Sequence, residues 1–137
     1  MKFNNRMNDF EFFKWIIVKD KINTLGSLRS FNEREVWWCN CGKNVGVEIN
    51  GKGSPFTRPF LVLKKFSRHG FLGVPFTTQE HSGKTWYRKI TFNNRAQYAV
   101  LQQARFLSAK RLGTKIGKLT YADYIAIMNS LFNLLSA

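Results

Sequence analysis

Acidic side chains are scarce in this sequence. Eight Asp and Glu stand against twenty-two Lys and Arg, a formal charge of +14. The shortage is uneven: residues 1 to 33 hold six basic and four acidic side chains, and residues 34 to 137 hold sixteen and four. A field of that sign attracts polyanions and makes their binding depend on salt. Nucleic acid and an anionic membrane surface are the partners it favours, and a basic surface with no partner is the plain alternative. Cysteine is nearly missing. Cys39 and Cys41 are the only two, spaced two apart in a predicted strand, so they face the same side too close along the chain for an ordinary disulfide. Both read as small packing residues in a reduced cytoplasm. Histidine is as rare, and His69 and His81 are not at zinc-ligand spacing, so no metal centre and no cofactor are expected. No apolar run approaches membrane-spanning length, and the start lacks the charged, apolar and small-residue pattern of a secretory leader. A cytoplasmic protein without a membrane partner is expected. Internal repeats and low-complexity segments are absent too.

What the chain has in quantity is aromatic residues, 15% of 137, with thirteen Phe and four Trp. That apolar surface argues against disorder, and the length suits one core. Residues 8 to 25 read as a helix, with Asn8 or Asp9 as cap, early acids and late lysines. Phe10, Phe13, Ile16 and Ile17 form one face, widened by Phe12, Trp15 and Val18, and a face this wide is expected to pack on the rest of the protein or at a dimer interface. Gly26 ends the helix and residues 27 to 32 read as a polar link. From Arg34 the apolar period becomes that of strands: residues 36–39, then a Gly- and Asn-rich loop from Asn40 to Gly53. A hairpin follows, then strands over 84–92 and 98–106 after turn signals at Ser82-Gly83 and Asn93-Asn94, and a short strand over 114–119. Thr120 and Asp123 then cap a helix with Tyr124, Ile127, Met128, Leu131, Phe132 and Leu135 at helical spacing. The sum is a mainly β chain with flanking helices (α+β), divided into a helical extension over 1–33 and a domain over 34–137.

The hairpin organises the domain. Phe60-Leu61-Val62-Leu63 and Phe71-Leu72-Gly73-Val74 flank a polar turn, Arg58-Pro59 opens the first run, and Thr77-Thr78 closes the second. Antiparallel pairing therefore brings Arg58 and Thr77 to one end, a fixed cation beside a hydroxyl, as a phosphate site needs. Together with Arg34-Glu35-Val36-Trp37-Trp38, Gly46-Val47-Glu48, Gln103-Ala104-Arg105 and Lys110-Arg111-Leu112, in this order, the pattern resembles the MazF/PemK toxins of bacterial toxin-antitoxin pairs. The resemblance covers roughly residues 34 to 135 and leaves the N-terminal helix outside. Ala104 and Ser108 depart from it, where a larger aliphatic residue and an acid are usual.

The resemblance implies an SH3-like β-barrel with a C-terminal helix, to which this chain adds an N-terminal one. It implies an endoribonuclease that cuts single-stranded RNA, mRNA in particular, without metal and leaves a 2′,3′-cyclic phosphate and a 5′-hydroxyl. It further implies a homodimer neutralised by an acidic antitoxin. Arg58 and Thr77 match the family's catalytic pair. Arg58 suits the charge that builds on phosphorus and is an awkward base, while Thr77 can donate a hydroxyl hydrogen bond to the same phosphate. Glu48 matches the loop acid, which either positions Arg58 or acts as base; pairing with Lys52 in solvent is the simpler role. Lys52, Gln103, Arg105 and Trp38 are the candidate RNA-binding residues. Gln103 and Arg105 share a strand face, turned either to RNA or to bracing. Of Trp37 and Trp38, and of Trp86 and Tyr87, one member each is expected in the core and the other free to stack on a base. His69 and His81 are of the side-chain type that serves as acid or base, but in basic turns both read first as simply exposed residues. Two other readings fit the residues: a non-catalytic nucleic-acid-binding barrel, and a protein-interaction module using the N-terminal helix.

Overall fold

In a strand buried on both faces the apolar residues run on without alternation, and the middle of the hairpin is built that way. The structure, a computed structural model, describes residues 2–81 and 83–137, with side chains from residue 10 onward. Helix α1 (Lys2–Leu25) precedes strands β1 (Glu35–Asn40), β2 (Thr57–Ser67), β3 (Gly70–Thr77), β4 (Tyr87–Phe92), β5 (Arg95–Val100), β6 (Arg105–Ser108) and β7 (Leu112–Lys118), and helix α2 (Tyr121–Ser136) ends the chain. The sheet is antiparallel, in the order β4-β5-β3-β2-β1-β7, with β6 also on β3. Strands β5 and β6 share one edge of β3, pairing with Phe76–Thr77 and with Gly70–Gly73 respectively. The single strand expected over 98–106 is thus broken by a 3₁₀ turn at Leu101–Gln103, which lets one stretch of chain follow β3 around its bend.

The two faces of β2 carry two cores. Leu61 and Leu63 join Val36, Val74, Phe76 and Ile90 under α2, whose Tyr124 hydroxyl donates to the Leu63 carbonyl at 2.7 Å. Phe60 and Val62 join Trp37, Cys39, Cys41 and Phe71 on the other side, where Phe31 closes the layer. Phe31 is 1% exposed, so the stretch that reads as a polar link supplies one of the most buried side chains. Asn93 and Asn94, at φ of 52° and 61°, form the two-residue turn between β4 and β5 that such left-handed pairs favour. Gly83 also has a positive φ, and its predicted turn partner Ser82 lies outside the described residues. Between β4 and β7, the outermost strands, closure is by side chain: a Cβ on Gly117 would lie 3.0 Å from the Phe92 ring. The wrap is barrel-like and the hydrogen-bonded ladder stays open. Thr120 caps α2 by accepting from the Asp123 N–H at 3.2 Å, as the sequence suggests.

Helix α1 starts earlier than expected, so positions 8 and 9 lie inside it; their side chains are outside the described residues. Its docking face is also displaced. Trp15 is buried, edge-on to Phe56 at 5.7 Å and under the Arg111 guanidinium, while Phe10, Phe13, Ile16 and Ile17 are 59%, 64%, 61% and 49% exposed. Lys110 Nζ donates to the Asn23 carbonyl, and Lys43 pairs with Glu11 at 3.1 Å. Among the described residues the helix is held by the buried Trp15, by half-buried Phe12, Val18 and Ile22, and by a few polar ties. No helix is long and apolar enough to cross a membrane among the described residues.

Candidate active site

Two strand ends and one braced loop make the site. The register that pairs Phe60 with Pro75 and Leu61 with Val74, carried to the end of the hairpin, sets Arg58 opposite Thr77. Thr77 in turn pairs with Tyr98 of β5, so the three residues form one row across three strands. Arg58 is half-buried, and its Nε donates to the Asn50 carbonyl at 2.8 Å while a terminal nitrogen reaches the Phe76 carbonyl at 3.4 Å. Burial disfavours its charge and lowers its pKa from the usual guanidinium value, against an opposing effect of Cys41. Pinned through these carbonyls, the fork keeps further N–H donors for an anion. The buried Thr77 hydroxyl accepts from the Gln79 N–H at 3.2 Å, which leaves its own proton to donate.

The loop over 41–56 that supplies Asn50 is tied down along its length. Asn44 donates to the carbonyls of Cys41 and Ile49, and its own N–H donates to the Asn50 side chain. Gln103 clamps it from outside, accepting from the Ile49 N–H and donating to the Val47 carbonyl, both at 3.2 Å. Where the loop returns to β2, a Cβ on Gly51 would stand 1.9 Å from the Phe56 carbonyl oxygen, so only glycine fits. Gln103 thus ties down the loop that carries Asn50, and its side chain also lines a cavity shared with Arg58 and Thr77.

Arg58 and Thr77 stand at the junction of two cavities. The first, about 330 Å³, is lined by Lys52, Trp38, Arg95 and Gln97 among others, and the second, about 670 Å³, by His81, Lys84, Trp86, Tyr87 and Gln103 among others. Lys52 and Trp38 thus sit with the Arg58-Thr77 pair as the sequence suggests. Glu48 and Arg105 line a separate recess with Asn44 and Gln103. The Glu48 carboxylate accepts from the Val45 N–H at 2.9 Å, capping its own loop, and no ion pair ties it to Lys52 or Arg58 among the described residues. Trp37 is core and Trp38 is 42% exposed, the expected division; Trp86 is exposed and Tyr87 half-buried, so neither of that pair is core. His69 sits exposed on the hairpin turn at the far end. His81 does not behave as a free turn residue: its ring stacks on Tyr87. Its only sequence signal is its closeness to Thr77.

Arg58, Arg105 and Arg111 converge on Cys41. Burial raises the Cys41 thiol pKa, the three guanidiniums pull against it, and burial wins. Burial holds Cys39 far above the ordinary thiol range. Neither is a thiolate nucleophile near neutral pH. Arg111 has its pKa lowered by burial and by Arg105, and donates to the Asn40 carbonyl at 2.9 Å.

The bent basic sheet thus carries an anchored arginine beside a hydroxyl that keeps its proton to donate, an arrangement that can hold an anion. A family model described as PemK-like, MazF-like toxin of type II toxin-antitoxin systems matches residues 32–135, and the chain belongs to that family. Solved structures agree on the fold. An endoribonuclease from a mycobacterial species, in complex with its cognate antitoxin, is 17% identical with a TM-score of 0.61, over 78% of this chain and 96% of that one. A second mycobacterial endoribonuclease is 18% identical with a TM-score of 0.58, over 80% and 96%. The toxin MazF-mt6 of Mycobacterium tuberculosis is 15% identical with a TM-score of 0.56, over 75% and 97%. No protein with a curated description matches the chain.

Proposed function

We propose that this toxin is an endoribonuclease that cleaves single-stranded RNA, mRNA in particular, without a metal ion, leaving a 2′,3′-cyclic phosphate and a 5′-hydroxyl. The observation that carries the reading is the row of Arg58 and Thr77 at the junction of two cavities whose charged lining is cationic. A scissile phosphate there meets the Arg58 fork and the Thr77 hydroxyl, donors aimed at the oxygens on which charge builds. Lys52 and Arg95 continue the positive track on one side and Lys84 on the other, and exposed Trp38 and Trp86 offer rings to unstacked bases. No carboxylate lines either cavity among the described residues, so a divalent ion finds no anionic ligand beside the phosphate. The chain acts in the cytoplasm as a homodimer, and an acidic antitoxin neutralises it, consistent with its net charge and with the antitoxin complex of its structural neighbour.

The test is purified protein on a mixed-sequence RNA in excess EDTA, with analysis of the fragment ends. Cleavage to cyclic-phosphate and 5′-hydroxyl ends is expected, with single-stranded RNA competing better than duplex and affinity falling steeply with salt. Activity lost on chelation and restored by magnesium overturns the metal-free chemistry. Salt-independent RNA binding without cleavage favours the protein-interaction reading, for which the exposed face of α1 is the specific support.

A further inference from the structure

The site is rich in donors and short of an acceptor. Transesterification needs a group to take the 2′-hydroxyl proton, and the basic side chains at the site, Arg58, Lys52, Arg95 and Lys84, present N–H donors and no acceptor. Glu48, the acid matched by sequence, lines a different recess and is engaged by the Val45 N–H. Among the described residues lining the two cavities that share Arg58 and Thr77, His81 is the one whose ring carries a basic nitrogen able to take a proton.

Its placement is built rather than incidental. The imidazole lies flat on Tyr87, centroids 4.0 Å apart and planes 7° from parallel, and meets Tyr98 edge-on at 6.2 Å and 88°. Tyr98 is the strand partner of Thr77, so the ring that orients His81 belongs to the row that holds the Arg58-Thr77 pair. Two aromatic walls from β4 and β5 thus restrain a side chain that loop position alone would leave free.

We infer that His81 is a catalytic residue of the proposed RNA cleavage, the base that removes the 2′-hydroxyl proton. The inference rests on the ribonuclease reading and deepens it. The neutral imidazole takes the proton as O2′ forms its bond to phosphorus; the P–O5′ bond breaks; O5′ takes a proton from water; and the imidazolium returns its own to the hydroxide so formed. Arg58 and Thr77 hold the non-bridging oxygens throughout.

The experiment uses the full chain and an RNA oligonucleotide spanning a mapped cleavage site. His81→Ala should lower the cleavage rate about 100-fold or more, in the range general bases contribute. Affinity for the same oligonucleotide carrying a 2′-deoxy nucleotide at the cleaved position should be unchanged. Added imidazole should raise the rate of His81→Ala in proportion to its concentration and leave the low rate of Arg58→Ala unchanged, which a merely structural histidine would not show. On a substrate with sulfur in place of O5′, whose leaving group departs without a proton, the His81→Ala defect should persist. Recovery there would place His81 on the leaving-group side and overturn its assignment as base. A His81→Gln protein that cleaves at the wild-type rate overturns the inference while the ribonuclease reading stands. A wild-type protein that cleaves no RNA overturns both.

Discussion

The β2–β3 hairpin and helix α1 are both crowded with large apolar residues, yet one buries them on both sides and the other leaves five in solvent among the described residues. Phe60, Leu61 and Val62 are each 0% exposed, while Phe10, Phe13 and Ile16 of α1 are all more than half exposed. A central strand is covered because its neighbours are fixed by ladder hydrogen bonds and each face then meets a layer. A helix at the edge of a fold covers only the stripe that its anchor dictates, here the stripe of Trp15. The contrast teaches that apolar content locates an element near a surface, and that connectivity decides how much of it is used. The unused stripe of α1 is an apolar patch open to solvent in the single chain, the kind of surface that marks association sites.

The largest expected effect is on the buried side of that contrast. Phe60→Ala should destabilise the protein by about 3–5 kcal/mol, measured by denaturant unfolding, because the lost ring leaves a cavity between β2 and the Phe31–Phe71 layer. Arg58→Ala should lower RNA cleavage about 10²- to 10³-fold, roughly 3–4 kcal/mol of barrier, with the thermal transition little changed. A rate within about tenfold of wild type would place the chemistry elsewhere.

Truncation separates the helix from its tether. Removing residues 1–25 takes away Trp15 and its ties, whereas removing residues 1–33 also takes Phe31 out of the second core. The longer deletion should cost about 3 kcal/mol more than the shorter, a large aromatic lost from a core. The shorter one should keep RNA cleavage, since neither Arg58, Thr77 nor His81 contacts α1 through any pairing described above. Equal stability of the two proteins would show that Phe31 contributes nothing independently of the helix.

The junction between tether and sheet carries the pH dependence. Glu35 is buried, and burial alone would raise its pKa. Its bonds to Lys115 at 2.8 Å, the Asn32 N–H and the Trp37 indole outweigh that, and the net shift is downward. Its contribution to stability is therefore complete above the unfolded carboxyl value of about 4.3 and is lost as pH falls through the lower folded value. Glu35→Gln should cost about 1–2 kcal/mol at pH 7 and flatten the acid limb of an unfolding-versus-pH curve. The smallest effect is expected on the exposed side: Phe13→Ser should change stability by no more than about 0.5 kcal/mol while reducing self-association in sedimentation or light scattering.

The parts of the fold legible in the sequence are those where a local signal and a tertiary role coincide. The hairpin, the Asn93-Asn94 turn and the Thr120 cap each rest on residues close in sequence, and each appears where expected. The split of β5 from β6 is not legible in the sequence because a strand that changes neighbours along β3 keeps its β-forming residues through the bend. Phe31 was hidden among polar neighbours in a stretch without periodicity. On α1 the widest apolar stripe and the stripe docked on this chain differ, and the docked one depends on where Gly42 opens room for an indole: a Cβ there would lie 2.4 Å from the Trp15 ring.

At the site, the residue types and the Arg58-Thr77 apposition are properties of the sequence, since antiparallel register alone brings the two ends of a hairpin together. The net charge and the family pattern are equally so. The tertiary structure decided which other residues join them. Glu48 caps its own loop through a partner three residues away, while Gln103 reaches that loop from outside, at a sequence separation of 54 between Gln103 and Ile49. The β4 and β5 strands bring Tyr87 and Tyr98 beside His81, ten or more residues apart in the case of Tyr98. Local spacing specifies which strand ends meet; only packing between elements sets which side chains face the space they enclose.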